Sequence, residues 1–171
     1  MERLPVEVKG NRNHFLLFNP DSTTDTLSAS SIKYDSTLGF PEYPGFRNSF
    51  CHPFYLYNHG KERPSDILEI PLMVMDTTFK NYLKIDDFDE ILNRYIHPVF
   101  SEVNKFNGII SILWHNNFFT GYKYKGYKDL YIKTIGLLKD EGVIFRTGSE
   151  IFADHFNNAN MISGRLSVEQ S

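Results

Sequence analysis

An unalternated run of apolar and small residues spans 108–113, and Trp114, His115 and Asn116 follow it directly. A run without polar alternation predicts a strand buried on both faces of a parallel sheet. Functional side chains of α/β proteins collect where such strands end. The pattern therefore makes His115 the first candidate for chemistry.

Apolar runs bounded by turn residues predict four further strands. They lie at 14–18, 32–35, 68–76 and 143–145. Pro71 interrupts the third of these runs, which predicts an edge or a bulge at that point. Asp76 stands at the end of the same run, in the position that His115 has after its own strand.

Helical periodicity is strongest over 86–107, where apolar residues recur every three or four positions. Asp87 supplies a start signal and Gly108 a stop signal. Pro98 lies inside the pattern and predicts a kink. His97 lies beside the apolar stripe, and we expect it to have a structural role.

Weaker patterns predict three more helices, a short one within 22–31, one over 127–138 that ends at Gly142, and one over 147–156. From residue 157 onward we expect a frayed tail. Strands that alternate with helices predict right-handed βαβ units and a parallel sheet. We therefore expect one α/β domain over residues 1–171.

Composition narrows the function classes. Hydrophobic residues make up 41% and charged residues 23%, values typical of a globular domain. A net charge of -3 without a basic stripe disfavours nucleic acid as a partner. The single cysteine excludes an internal disulfide, and no apolar run approaches the length of a membrane span. Without a secretory pattern at the first residues, the default expectation is a cytoplasmic location.

Aromatic residues are dense in the segment 40–57. One interpretation is a long loop that its rings attach to the body of the protein. The other is an aromatic platform for a flat ligand face such as a sugar ring. The two interpretations are compatible.

Polar candidates for a shared site follow from the predicted strands. We expect them to meet at one end of the sheet, with His115 as the strongest member; they are Arg12, His14, Arg47, His52, Asp76 and His115. The sequence has no local metal-binding spacing, no glycine-rich phosphate loop and no nucleophile elbow.

Short motifs in a fixed order resemble the bacterial polysaccharide deacetylase family. They lie at 10–18, 33–40, 45–47, 51–54, 69–76 and 113–116, and the resemblance covers most of residues 10–156. It implies a distorted (β/α) barrel of seven strands. It also implies removal of N- or O-acetyl groups from polysaccharides with the help of a divalent, zinc-like metal ion.

The resemblance also implies roles for individual residues. In Leu113-Trp114-His115 it makes His115 the general acid and Leu113 a wall of the acetyl pocket. Arg47 resembles an arginine that orients the catalytic base. The residues expected to contact the glycan are Arg12, His14, His52, Phe54, Asp76, Leu113, Trp114 and Asn116.

The chain departs from the family pattern at its start. The resemblance implies a paired Asp motif and a two-His metal motif ahead of Arg12, but residues 1–9 contain neither Asp nor His. A catalytic ion needs about three protein ligands and an open position. We therefore expect a partial barrel without its N-terminal strands and without a metal site of its own, unless ligands are supplied from elsewhere.

Three functions stay open at this point. The chain is a deacetylase-like hydrolase that is weakly active or inactive alone, a non-catalytic carbohydrate-binding module, or an assembly subunit. The last would form a homodimer or pair with an N-terminal partner chain, because open sheet edges are normally covered.

Overall fold

The computed structural model describes residues 7–157 and has a mixed α/β architecture with mostly parallel strands. The strands are β1 (Gly10–Asn11), β2 (Tyr34–Asp35), β3 (Phe54–Asn58), β4 (Arg63–Glu69), β5 (Val74–Met75) and β6 (Ile112–Leu113). One sheet has the order β1-β2-β4-β3, with β3 antiparallel to β4 and the other pairs parallel. A second, parallel pair joins β5 to β6. The predicted parallel pairing is confirmed.

Five helices accompany the strands in the described part of the chain. They are α1 (Thr23–Ala29), α2 (Thr78–Leu83, with π-helical bonding), α3 (88–105), α4 (Tyr127–Asp140) and α5 (148–157). Short 3-10 turns lie at His14–Leu16 and Asn116–Phe119. The helices predicted near 22–31, 86–107, 127–138 and 147–156 are all present. Helix α2 was not predicted.

Pro98 changes the type of helix rather than ending it. Helix α3 consists of an α-helical start at Phe88–Glu90, a π-helical turn at Ile91–Ile96 and an α-helical segment at His97–Lys105. A proline cannot donate to the carbonyl four residues earlier, and a wider turn just before it accommodates that lost bond. The predicted disturbance is therefore a π-helical turn. His97 is exposed on this helix.

The main core lies between α3, α4 and the β5–β6 pair. Its fully buried members include Phe79, Ile91, Ile96 and Leu130. Burial of an aliphatic or aromatic side chain of this size contributes about 2 kcal/mol to folding. Cys51 belongs to this core and contacts Gly108 so closely that an added Cβ would lie 2.5 Å from its Sγ.

The residues 14–18 are not a strand, so that prediction is wrong. Phe15 and Leu16 have φ values of 58° and 52°, which a strand cannot contain. Phe15 and Leu17 are exposed, whereas Leu16 is buried. The aromatic and apolar residues here form a tight turn after β1 rather than an extended segment.

Strand β6 is shorter and less buried than predicted. Only Ile112–Leu113 pair with a neighbour, and residues 108–115 are all half-buried. Because β6 pairs with β5 on one side and with no described strand on the other, one edge of it remains open. The predicted strand at 143–145 is also absent, and Ile144 and Phe145 are exposed.

The β3–β4 hairpin was not predicted from the sequence. Its β4 strand runs into the segment predicted as one strand at 68–76, which the structure divides at Pro71. Between the two parts the backbone pairs with a loop and not with a strand. The backbone N–H of Leu72, for example, donates to the carbonyl of Leu38. The predicted frayed tail lies outside the described residues, apart from Asn157 at the end of α5.

Candidate active site

The parallel pairing of β5 with β6 brings Asp76 and His115 together. Met75 lies opposite Leu113 in this pair, and each strand ends with that residue. The next residue of each chain segment is therefore at the same edge of the sheet. Two residues that are 39 positions apart in sequence become neighbours for this reason.

Asp76 holds His115 through two hydrogen bonds. The His115 backbone N–H donates to Oδ2 of Asp76 at 2.5 Å, and the imidazole Nδ1 lies 2.7 Å from Oδ1. The Thr77 backbone N–H also donates to Oδ1, at 2.6 Å. An ionised carboxylate only accepts hydrogen bonds, so Nδ1 carries the proton in this pair. Both the position and the tautomer of the imidazole are thereby fixed.

The two side chains differ in exposure. The Asp76 side chain is completely buried, and that of His115 is 39% exposed. Burial raises the pKa of Asp76, while the hydrogen bonds from His115 and Thr77 oppose this shift. With Nδ1 engaged, Nε2 is the nitrogen available to a bound molecule. The pair has the composition of a general acid–base centre, in which a carboxylate orients a histidine.

A pocket of about 330 Å³ opens beside His115. Its lining includes Leu113 and His115 from the end of β6, and Asn81 and Tyr82 from α2. Successive side chains of a strand point to opposite faces, so residues 113 and 115 share the face that lines the pocket.

The turn after β1 forms another wall of this pocket. Arg12, Asn13, His14, Phe15 and Leu16 all line it. The left-handed backbone at positions 15 and 16 is costly for residues other than glycine. A hydrogen bond of 2.9 Å from the Asn13 backbone N–H to Oγ1 of Thr37 attaches this turn to the loop after β2.

Arg12 is held in the pocket wall by hydroxyl and carbonyl oxygens. Its Nε donates to the Ser36 carbonyl at 2.8 Å, and its Nη2 donates to Oγ of Ser36 at 2.7 Å and to Oγ of Ser111 at 3.3 Å. Burial lowers the pKa of its guanidinium, and the nearby Asp35 and Glu69 oppose that shift. Arg12 thus connects β1 with the segment that leads into β6.

Trp114 lies on the opposite face from His115. It lines a groove of about 1100 Å³ between β1 and the segment 108–112, and its ring contacts those of Tyr127 and Tyr131. Its indole N–H is buried and has no acceptor among residues 7–157. Trp114 therefore belongs to a second surface.

Four other candidate residues are not brought to the pocket. Arg47 donates to the Gly39 carbonyl at 3.3 Å, and Nε2 of His52 lies 2.9 Å from the Phe106 carbonyl oxygen. Phe54 packs on the small cluster beneath β3, and Asn116 is an exposed residue of a 3-10 turn. The predicted convergence thus holds for Arg12, His14, Asp76 and His115.

The aromatic segment 40–57 shows features of both interpretations, since two of its seven rings pack on hydrophobic clusters and five are exposed. Tyr43 contacts the Tyr95 ring, and Phe46 packs against the main core. Tyr55 and Tyr57 are exposed on β3, away from the pocket. Helix α2 places the ring of Tyr82 in the pocket lining, and Tyr82 was not among the predicted site residues.

A second acidic centre lies at the ends of β2 and β4. Asp35 and Glu69 are partners in the parallel register and are completely buried. Oδ1 of Asp35 accepts from Nδ2 of Asn11 and from Oγ1 of Thr37, each at 2.8 Å. Oε1 of Glu69 accepts from the Leu38 backbone N–H at 2.9 Å.

Desolvation by burial, reinforced by Asp35, raises the pKa of Glu69 to about 9. Sequence reasoning missed both residues. The available signal was a single acidic residue, Glu69, within the otherwise apolar run 67–75.

The metal ion implied by the family resemblance does not fit the residues that the structure describes. Within residues 7–157, no group of three or more His, Cys, Asp or Glu side chains is arranged to hold one. Asp76, the acidic residue nearest His115, already accepts from three N–H groups. No described helix is long and apolar enough to cross a membrane.

Comparison with family models, with curated proteins and with solved structures found no match to this chain. The geometry of the pocket and the sequence motifs around it are therefore the observations from which a function is inferred.

Proposed function

We propose that this chain is a polysaccharide deacetylase-like hydrolase domain, in which His115 transfers protons to and from an acetylated glycan. The observation that carries the proposal is the Asp76–His115 pair, which lies at the ends of two parallel strands and opens on a pocket of about 330 Å³. A buried carboxylate that orients a half-exposed histidine is suited to acid–base catalysis at neutral pH.

His115 would act on the leaving group. Water adds to the acetyl carbon, and as the bond from that carbon to nitrogen or oxygen breaks, its electron pair passes to the leaving atom. The leaving atom takes the Nε2 proton of His115, which enters this step as the imidazolium and leaves it as the neutral Nδ1–H imidazole. Asp76 keeps Nδ1 protonated and the ring in place. Leu113 would contact the acetyl methyl group, and Tyr82 and His14 would contact the sugar. Activation of the attacking water is not assigned to a described residue, so we expect weak turnover at most.

Release of acetate from an N-acetylglucosamine oligomer tests this proposal. His115→Gln should reduce any turnover by about 100-fold or more, the usual contribution of a general acid. His52→Gln is the matched control, because His52 is half-buried but lies outside the pocket. Turnover that is equal in the two variants would refute the role of His115.

The dependence on metal is measured in the same assay, with added zinc or cobalt and with a chelator. Turnover that needs His115 but ignores both treatments would exclude a metal mechanism. If no acetate is released from any acetylated glycan under any of these conditions, the hydrolase proposal fails for the isolated chain.

An assembly subunit is the second candidate function, and two of the edge strands favour it because they border the same groove. Within residues 7–157, β1 and β6 each pair on one side only. Both border the groove of about 1100 Å³ that Trp114 lines. Unpaired edges beside an apolar groove bind added strands. This arrangement would suit a partial barrel that a partner chain or a second copy completes.

Sedimentation of the purified chain over a range of concentrations tests the assembly function. A dimer, or a stable complex with an added N-terminal polypeptide of a full-length deacetylase, would support it. A monomer at all concentrations that also ignores such a polypeptide would count against it. Trp114→Ala should weaken any complex, whereas Tyr55→Ala, on the exposed face of β3, should not.

A further inference from the structure

The starting observation is a buried oxygen without a donor. Oε2 of Glu69 is inaccessible to solvent and has no hydrogen-bond partner among the described residues. A carboxylate oxygen in that condition is costly, because its lost hydration is not replaced. A proton on Oε2 removes the charge and converts the oxygen into a donor.

The acceptor for that proton is Asp35. Asp35 lies opposite Glu69 in the parallel β2–β4 register, so the two buried carboxyl groups lie side by side on the same face of the sheet. Oδ1 of Asp35 accepts from Asn11 and Thr37 at 2.8 Å, whereas Oδ2 receives the Thr37 backbone N–H at 3.3 Å. Oδ2 is therefore the less occupied oxygen.

The local charges agree with a neutral Glu69. The charged groups that act on it are Asp35 and Arg12. With Glu69 neutral, one carboxylate faces one guanidinium in a buried region, and the charges balance. With Glu69 ionised, two adjacent carboxylates would share that single cation, and like charges this close cannot both stay ionised at low cost.

We propose that Glu69 is a positioning residue of the His115 pocket, and that its neutral carboxyl donates a hydrogen bond to Asp35. Asp35 then accepts from Oγ1 of Thr37. The same Oγ1 accepts the backbone N–H of Asn13 in the pocket wall. Loss of the Glu69 proton would disturb this chain of contacts and displace the turn that carries His14.

The connection to the pocket is short. Only Thr37 separates the buried carboxyl pair from the wall at Asn13. Arg12 makes a parallel connection through the carbonyl and hydroxyl oxygens of Ser36. The strained turn at Phe15 and Leu16 lies directly beyond, and strained backbone persists only where its surroundings hold it.

Carbon-detected NMR of uniformly ¹³C-labelled protein tests the proposal without any substrate. The Glu69 signal, assigned by through-bond correlations to its own backbone and checked by its loss in Glu69→Gln, should titrate with a midpoint near pH 9. The carbonyl signals of Asn13 and Thr37 should shift with the same midpoint. In Glu69→Gln they should keep their neutral positions across that range, because the amide still donates to Asp35.

A Glu69 signal that titrates near pH 4.5, its ordinary value, would overturn the proposal. It would also be overturned if the Asn13 and Thr37 signals ignore the Glu69 titration. If Glu69→Gln does not fold, the midpoint and the coupled shifts of the unmodified protein still decide the question. The inference rests on the proposed function only where it treats the pocket as a catalytic site. An absence of turnover would therefore not change what the NMR titration shows about Glu69 and the pocket wall.

Discussion

Two acidic centres lie at the ends of the parallel strands, and they differ in what surrounds them. Asp76 is buried, but its partner His115 is 39% exposed and faces a pocket. Asp35 and Glu69 are both completely buried, and one of their four oxygens lacks a donor among the described residues. The first centre presents a titratable ring to solvent, and the second does not.

Because of this difference, the first centre can take part in chemistry, whereas the second has a structural role. A carboxylate that accepts three N–H groups and orients an exposed imidazole can take part in proton transfer with a ligand. A carboxyl pair without solvent access can only determine which groups around it are held. Breaking a buried centre of the second kind costs more stability, because water cannot replace the lost partner.

Removing the acceptors gives the largest expected effect. Asp35→Ala should lower the free energy of unfolding by about 3–5 kcal/mol, because Asn11, Thr37 and the half-buried Arg12 all lose their partner or counterion. Asp76→Ala should cost about 1–3 kcal/mol, since water can reach the histidine that remains. Urea denaturation at one pH measures both.

The comparison of the two acidic centres depends on which substitution, Asp35→Ala or Asp76→Ala, lowers stability more. An Asp76→Ala variant that is less stable than Asp35→Ala would show that the pocket centre is the structural one. Asp21→Ala serves as the control for the loss of an exposed carboxylate, and it should change stability by about 0.5 kcal/mol or less.

The pH dependence of stability is the next effect in size when it is compared per pH unit. Because the pKa of Glu69 is raised from 4.5 to about 9, the folded chain holds one proton more than the unfolded chain between these values. Stability from this group is therefore fully present at low pH and falls as pH rises toward 9, by up to about 1.4 kcal/mol per pH unit.

Glu69→Gln should remove this part of the slope. Unfolding measured in urea from pH 5 to pH 9 should give a flatter profile for the variant than for the parent chain. Identical profiles would mean that Glu69 is ionised in the folded protein. The burial of Asp76 raises its pKa too, so a smaller decline in stability from acid toward neutral pH should persist in the variant.

A smaller effect on stability is expected in the turn after β1, which forms a wall of the pocket. Phe15 has a φ of 58° and is 75% exposed, so Phe15→Gly should raise stability by about 1 kcal/mol through relief of the left-handed backbone. Leu17→Gly is the matched control, because Leu17 is 68% exposed with a φ of -68°. It should lower stability by about 0.5–1 kcal/mol. Equal losses in both variants would argue against strain at position 15.

The smallest expected change concerns the groove. Trp114→Phe removes an indole N–H that has no acceptor among residues 7–157, together with part of a packed ring. These two effects oppose each other, and the net change in stability should stay within about 1 kcal/mol. A loss well above that, measured by thermal unfolding of the isolated chain, would show that the N–H is bonded in solution.

The sequence was sufficient to locate Asp76 and His115, because each follows an apolar strand and parallel strands end at a common edge. It was also sufficient for the helices with a regular apolar stripe, such as 86–107. The segment 14–18 was misjudged because its composition suits a strand while its backbone has left-handed φ values. Local pattern carries no information on that choice.

The Asp35–Glu69 pair could not be predicted from the local sequence pattern, for a different reason. Its members are 34 positions apart, and their contact depends on the β2–β4 register. That register pairs β2 with β4, two strands that are not consecutive in the chain. Arg47 and His52 illustrate the opposite error, in which predicted site residues lie outside the site. Both belong to motifs that resemble those of a family, but each is held by a carbonyl oxygen outside the pocket.

The contact of Cys51 with Gly108 gives the protein an internal reporter of motion. Cys51 is the only cysteine of the chain, it is buried, and its carbonyl accepts the backbone N–H of Ile109 at 2.7 Å. A thiol reagent can reach its sulfur only when the segment entering β6 separates from the core. The rate of labelling therefore measures how often the base of the His115 strand opens, on a single site and without any substitution.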